Sequence, residues 1–268
     1  MAGWTLEDIP WQRFDRAKVD PALLRLVKAA SLVEANGADY AHYLCSVFAD
    51  DAEFQAAARH WGAEETQHGQ ALGRWAALAD PAFDHEAARQ RFTQGFRVPL
   101  DAQRSVRGSR AGELVARCIV ETGTSSYYSA LGEAAAEPVL KAICAHIAAD
   151  EIRHYRLFRD HLERYLARER IGLWQRLRIA LGRIAESEDD ELSFAYHAAN
   201  EGAAPYDRAH AAREYGGRAA ALYRRHHVDH AVALVFRAVG LKRGGALGAL
   251  ASGLAWRILR RRVARLAA

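Results

Sequence analysis

The sequence predicts an all-α protein: a four-helix bundle with one long crossover and a helical C-terminal extension. Three observations carry that expectation. The chain is rich in alanine and holds only six prolines in 268 residues, with long stretches free of glycine and proline, a composition that favours helix. Apolar residues recur at helical spacing in four segments. One acidic and imidazole pattern occurs twice: Glu34 is followed 31 positions on by Glu65-x-x-His68, and Glu121 is followed 30 positions on by Glu151-x-x-His154.

Taken in order, residues 1–19 form a lead-in with Trp4 and Trp11 as aromatic anchors. It shows no apolar signal run, so a cytoplasmic protein is expected. Residues 20–170 hold the bundle. The inward stripe of the first helix runs Leu23, Val27, Ala30, Glu34, Gly37, Ala41, Leu44, Phe48; that of the second runs Phe54, Ala58, Trp61, Glu65, His68, Leu72, Trp75, Ala79. Asp50-Asp51 supplies the turn between them. Some 30 residues with Pro81, Gly95, Pro99 and Gly108 follow, long enough to cross from one end of a bundle to the other. The third stripe is Leu114, Cys118, Glu121, Ser125, Tyr128, Leu131, and the fourth is Leu140, Ile143, Ile147, Glu151, His154, Phe158, Leu162, with Glu137-Pro138 between them. Residues 171–268 are expected to be further helices, broken near Gly202 to Pro205, Gly216-Gly217 and Gly244-Gly245, without a second catalytic constellation.

The chemistry lies in the polar interruptions of those stripes. Positions i and i+3 share a helix face, so each Glu-x-x-His directs two side chains at one spot. A carboxylate about 15 residues before a hairpin turn sits roughly 22 Å along its helix, level with one about 15 residues after it. All six residues therefore meet at mid-bundle. Four carboxylates and two imidazoles facing one core are costly without a cation, and the pattern matches a two-metal carboxylate site. Iron suits mixed carboxylate and imidazole ligation and changes redox state.

Ligand histidines usually donate their outer nitrogen to a carboxylate. Asp150 and Glu64, each directly before a ligand glutamate, are placed to serve the opposite half, Asp150 to His68 and Glu64 to His154; the competing reading is a pair of solvated acids. Gly37, Ala41, Thr124 and Ser125 beside the ligands either leave space for oxygen and substrate or let helices pack closely. Tyr40, Tyr43, Tyr127 and Tyr128 read as core or interface residues. Cys45, Cys118 and Cys144 lack Cys-x-x-Cys spacing and read as small core residues, so no disulfide frame or cysteine-bound metal is expected.

Charge is unevenly spread. Gly217 to Ala268 holds eleven Lys or Arg against one acid, Asp229, while the preceding residues hold 26 basic and 32 acidic side chains. Leu247 to Leu266 is an apolar stretch running into Arg257, Arg260, Arg261, Arg262 and Arg265. With about 13 uninterrupted apolar residues it is too short to span a bilayer. It reads as a basic amphipathic helix on an anionic membrane surface, on an acidic protein such as an acyl carrier protein, or as a solvated cover of the bundle. Nothing else supports nucleic-acid binding.

Beyond the ligands themselves, Trp61-Gly-Ala-Glu-Glu-Thr-Gln-His68-Gly69 and Ile143-Cys-Ala-His-Ile-Ala-Ala-Asp-Glu-Ile-Arg-His154 resemble the two Glu-x-x-His helices of soluble acyl-acyl-carrier-protein desaturases. The resemblance covers roughly Ser31 to Arg164, and the connection between hairpins has a similar length. It implies a ferritin-like bundle with two iron ions that activate dioxygen, using electrons from a ferredoxin-type donor. By that match Glu34, Glu65, His68, Glu121, Glu151 and His154 are the iron ligands, Thr124 lies near the oxygen site, and Asp150 orients a ligand histidine. The region after about Arg170 shares no resemblance, and substrate choice does not carry over.

Other users of this ligand set are separated by single positions. Ribonucleotide reductase small subunits place a radical tyrosine where this chain has Leu72; bacterioferritins use a methionine for haem, and the single methionine here is Met1; rubrerythrins add a cysteine-bound iron domain. The expected function is therefore an oxygen-dependent di-iron oxidoreductase on an acyl or lipid-like substrate, desaturation ahead of hydroxylation. A hydroxylase or oxidase of a quinone or other lipid-soluble substrate stays open, as does a non-enzymatic iron-binding or iron-oxidising role. A homodimer and peripheral attachment to the inner membrane face are compatible with this reading.

Overall fold

The computed structural model describes residues 3–186, 190–202, 204–242 and 244–266. Eleven α-helices and no strand occur among them: α1 (Pro21–Glu34), α2 (Gly37–Val47), α3 (Ala52–Ala79), α4 (His85–Gly95), α5 (Arg110–Ala134), α6 (Pro138–Glu169), α7 (Leu173–Glu186), α8 (Asp190–Asn200), α9 (Arg208–Leu222), α10 (Arg225–Val239) and α11 (Gly245–Leu266). The all-α bundle expected from the sequence is present. Its four members are α1 continued by α2, then α3, α5 and α6, with α3 against α1 and α2, α5 against α6, and α3 against α6.

Turn chemistry explains where the hairpins close. Asp51 caps α3 by accepting the Phe54 N–H at 3.0 Å, and also accepts the Tyr165 hydroxyl at 2.7 Å. Glu137 caps α6 by accepting the Leu140 N–H at 2.7 Å, while Pro138 stands at the first helical position, where a missing N–H costs nothing. The same buried Glu137 carboxylate accepts Trp75 Nε1 at 2.7 Å and the Asp15 N–H at 3.1 Å. One residue thereby joins lead-in, α3 and α6 at one end of the bundle. At the other end Arg110, the first residue of α5, donates to the Val47 carbonyl at 3.0 Å and pairs with Asp50. Because α3 ends beside Glu137 and α5 begins beside Asp50, the connection from residue 80 to 109 crosses the full bundle length, carrying α4 on the way.

Two expectations are corrected. The first bundle helix is not continuous from Leu23 to Phe48 but breaks at Ala35 and Asn36, immediately after Glu34. The reason is close packing on α3: a Cβ on Gly69 would come within 2.4 Å of the Ala35 backbone nitrogen, and one on Gly37 within 2.4 Å of the Glu65 Cβ. The two glycines let the broken turn press against α3, which an unbroken Cβ-bearing helix could not do. Gly216-Gly217 is not a break either, since α9 runs through it; a Cβ on Gly216 would meet Arg262 Nη2 at 2.7 Å, so the glycine admits that side chain. Of the expected break over Gly202 to Pro205, residue 203 lies outside the described residues, as do residues 1–2 of the lead-in, residue 243, and 267–268 at the end of the basic tail.

Helices after residue 171 pack on the bundle, α8 on α1 and α4, α7 and α10 on α5. They share its core: Ala195 and Tyr196 join one apolar cluster with Trp75 and Leu72, and Leu234 and Val239 join a second with Phe48, Phe54 and Phe158. Burial of each such aromatic side chain contributes about 1.5–3 kcal/mol. The Tyr155 hydroxyl donates to the Leu234 carbonyl at 2.8 Å, fastening α10 to α6 one residue from His154. The two clusters meet at mid-bundle. Each of α3, α5 and α6 feeds one cluster from below and the other from above, and at the seam between them lie the six acidic and imidazole side chains.

Candidate metal centre

Glu34 comes from the last turn of α1, Glu65 and His68 from the middle of α3, Glu121 from α5, and Glu151 with His154 from α6. All six are buried, from 7% exposure at Glu65 to none at His68. They form two overlapping groups, Glu34, Glu65, His68, Glu151 and Glu65, Glu121, Glu151, His154, each offering ligand atoms within 4.8 Å of one another.

The distances give each carboxylate a place. His68 Nδ1 faces Glu151 Oε1 at 3.4 Å, Glu65 Oε2 at 3.7 Å and Glu34 Oε2 at 3.8 Å. His154 Nδ1 faces Glu65 Oε1 at 3.0 Å, Glu121 Oε2 at 3.6 Å and Glu151 Oε2 at 3.9 Å. Glu65 and Glu151 thus turn one oxygen toward each histidine, whereas Glu34 and Glu121 each serve one side. Each group could hold a cation, with Glu65 and Glu151 common to both.

The side chains around these six set the histidine protons. His68 Nε2 lies 3.0 Å from Asp150 Oδ2, and His154 Nε2 lies 2.9 Å from Glu64 Oε2. Each carboxylate reaches across from the other hairpin. An outer Nε2–H donated to a carboxylate leaves Nδ1 as a lone pair aimed inward and raises its basicity. Arg153 Nη2 spans both acids, 2.5 Å from Asp150 Oδ1 and 3.0 Å from Glu64 Oε1. Asp150 also accepts Trp4 Nε1 at 2.7 Å, and the Trp4 ring stacks on the His68 imidazole at 5.9 Å between centroids and 2° between planes. Thr124 Oγ1 donates to Glu151 Oε2 at 2.5 Å, and Tyr128 donates its hydroxyl to Glu34 Oε1 at 2.5 Å.

Burial opposes charge on His68 and His154, yet the surrounding carboxylates hold both well above the usual imidazole range. Burial, then the Glu65 carboxylate, pushes Glu34 up to about 8. Burial, against the help of His154, drives Glu121 well above the usual carboxylate range, with Glu151 and Glu65 adding to the effect. Burial and then Glu65 raise Glu151. Glu65 goes the other way: burial opposes its charge, but its neighbours Glu34, His154 and His68 hold it well below that range. Asp150 is likewise held down to about 2, burial being outweighed by His68, Arg153 and Trp4.

Whether a metal pair fits is decided by atoms without partners. His68 Nδ1, His154 Nδ1, both carboxylate oxygens of Glu121 and Glu151 Oε1 are buried and lack a hydrogen bond of acceptable geometry. Leaving such groups unsatisfied costs about 1–3 kcal/mol each, more when charged, and all five point into the seam where two cations would satisfy them together. The donor set, four carboxylates and two imidazoles, suits iron or manganese. The residues present fit a two-metal centre.

Every site residue expected from the sequence is brought to this seam or against it, Asp150 and Glu64 on the histidines and Thr124 on Glu151. Sequence reasoning missed three contributors. Trp4 read as an anchor but seats on His68 and Asp150; Arg153 carried no signal beyond its charge; Tyr128 read as core although its place two turns after Glu121, on the same stripe, was a usable clue. Cys45, Cys118 and Cys144 remain thiols, the last two buried, and no helix among the described residues is long and apolar enough to cross a membrane.

A profile described as fatty acid desaturase matches residues 38–177, just over half of the chain and spanning five of the six carboxylate and imidazole positions, all but Glu34. No curated protein matches the chain. With a helical bundle, a buried cluster able to hold metal, and this match, the chain belongs to the fatty acid desaturase family and so among the oxidoreductases of lipid metabolism.

Proposed function

We propose that the protein is an oxygen-dependent di-iron oxidoreductase that desaturates an acyl or lipid-like substrate, on a ferritin-like bundle similar to that of acyl-acyl-carrier-protein desaturases. The observation that carries this reading is the placement of Glu65 and Glu151, each with one oxygen toward His68 and one toward His154. Glu34, Glu65, His68, Glu121, Glu151 and His154 would hold two iron ions, which when bound supply dioxygen activation and the oxidising power to remove hydrogen from an unactivated carbon chain.

The chain's own residues do the remainder. Asp150 and Glu64, facing the outer nitrogens of His68 and His154, would orient the inner ones toward the metals. Arg153 fixes both acids, and Trp4 closes the outer side of His68 against water. Thr124, whose hydroxyl donates to Glu151, would hold a proton beside the metals. A ferredoxin-type donor would supply the electrons.

Hydroxylation of a quinone or other lipid-soluble substrate would use the same side chains. Mass spectrometry of acyl chains and quinones from cells with the active protein, with an E151A variant, and without the gene separates the readings. New unsaturation supports desaturation, an added oxygen supports hydroxylation, and no change in either together with growth of a mineral iron core would overturn both.

A further inference from the structure

Among the described residues, α11 offers a face that the fold does not use. One side packs on α9 and α10 through buried Gly248 and Ser252 and half-buried Trp256, Leu259 and Val263. The opposite side carries Leu247, Leu250, Leu254 and Ile258, exposed by 60%, 67%, 55% and 58%. Their spacing of three, four and four residues puts all four on one stripe. From Leu247 to Ile258 the stripe extends about 16 Å along the helix axis. Arg257, Arg261 and Arg265, all exposed, flank and continue it on the same side, and the exposed Arg260 lies over the Trp256 ring at 5.8 Å. The single acid between 217 and 268, Asp229, is already engaged by Arg225 at 2.7 Å.

A second exposed apolar face lies on α7, which, like α11, packs against α10. Trp174 is 83% exposed, Leu181 65% and Ile184 43%, with exposed Arg178 one turn after Trp174. Tryptophan at such exposure belongs to the apolar–water boundary, where its ring is buried and its N–H stays wet.

We propose that α11 seats the protein on the surface of an anionic lipid bilayer, with Leu247, Leu250, Leu254 and Ile258 in the acyl boundary and the arginines among the headgroups. The stripe has the composition of an interfacial helix, a row of large aliphatic side chains beside a cluster of arginines whose long stems reach up to phosphate. Charge selects this occupant over others. A second copy of the chain would lay arginine against arginine, and an acidic protein would satisfy the arginines while leaving four aliphatic side chains in need of an apolar counterpart. An anionic bilayer supplies both in one surface. The inference does not rest on the proposed oxidation chemistry, since no ligand residue lies on α7 or α11.

The test is co-sedimentation of the full-length protein with vesicles of phosphatidylcholine alone and of phosphatidylcholine with phosphatidylglycerol, at low and high salt. The variants are L250S with L254S, and R257Q with R261Q and R265Q, all at exposed positions, with an unchanged unfolding temperature as the check on fold. Binding is expected only to the anionic vesicles, roughly tenfold or more weaker in each variant, and weaker as the Debye length falls from about 10 Å at 0.1 M to about 3 Å at 1 M. Failure to sediment with anionic vesicles at low salt, or equal binding by wild type and both variants, would overturn the proposal. So would binding to an acidic acyl carrier protein that the same variants abolish while vesicles are ignored.

Discussion

Asp150 Oδ2 lies 3.0 Å from His68 Nε2 although the two residues stand on different hairpins, 82 positions apart. His154 and Glu64 repeat the contact in the opposite sense at 2.9 Å. The hairpins are therefore joined at their centre by two reciprocal hydrogen bonds that also set which histidine nitrogen faces inward. Replacing Asp150 by Ala should leave the helical fold and weaken iron retention roughly ten- to a hundredfold, as when a ligand histidine loses its orienting partner. Equilibrium titration of the anaerobic protein against a competing chelator measures this; D150N, which still accepts a hydrogen bond, should fall between wild type and D150A.

The two-sided placement of Glu151 distinguishes it from Glu121. Anaerobically loaded wild type should hold about two iron ions per chain, E121A or H154A should lose the ion on one side first, and E151A should lose both, because Glu151 faces both histidines. Elemental analysis per chain decides among these, and wild type holding less than one iron would refute the two-metal assignment.

Thr124 and Tyr128 donate to carboxylates at the seam without facing it as ligands. T124V and Y128F should keep near-normal iron content and slow turnover about tenfold, the size expected for losing one hydrogen bond worth about 1.5 kcal/mol to a charged group. Single-turnover rates beside metal analysis check this. Loss of iron in parallel with rate would assign both residues to metal retention alone.

At Gly69, where α3 meets the break after Glu34, backbone rather than a movable side chain is in the way. G69A should destabilise the protein by about 1–3 kcal/mol through overpacking, read as a lowered denaturant midpoint. G123A, where a Cβ meets nothing within 4 Å, should be neutral or slightly stabilising because alanine favours helix.

Asp51 ties the other end of the bundle. Burial opposes its charge, but the Tyr165 hydroxyl, the Phe54 N–H and Arg164 hold its carboxyl below the usual range. A depressed carboxyl contributes stability that is present above its unfolded value and is lost as pH falls through the folded one. D51A should therefore cost about 1–3 kcal/mol near neutral pH, from the lost cap and the unpaired Tyr165 hydroxyl. The difference from wild type should shrink as pH drops below the carboxylate range. Urea unfolding of both proteins across pH tests the sign.

Much of the architecture was legible because it is local or periodic. Asp51 and Glu137-Pro138 mark hairpin turns by chemistry confined to one helical turn, and the third and fourth stripes follow a period of 3.6. Equal arm lengths bring Glu34 level with Glu65, and Glu121 level with Glu151, by geometry alone. Tertiary structure decided what depends on how closely separate helices approach. The break after Glu34 comes from the close approach at Gly37 and Gly69, and Asn36-Gly37 was its one local sign in an otherwise continuous apolar stripe. Trp4 reaches Asp150 over 146 positions and Arg153 bridges two acids, contacts that no periodicity encodes. By itself the sequence determined which side chains share a helix face and at what height, because backbone geometry is the same in every helix. Which face meets which, and so which carboxylate spans both histidines and which serves one, follows from the packing of all four helices at once.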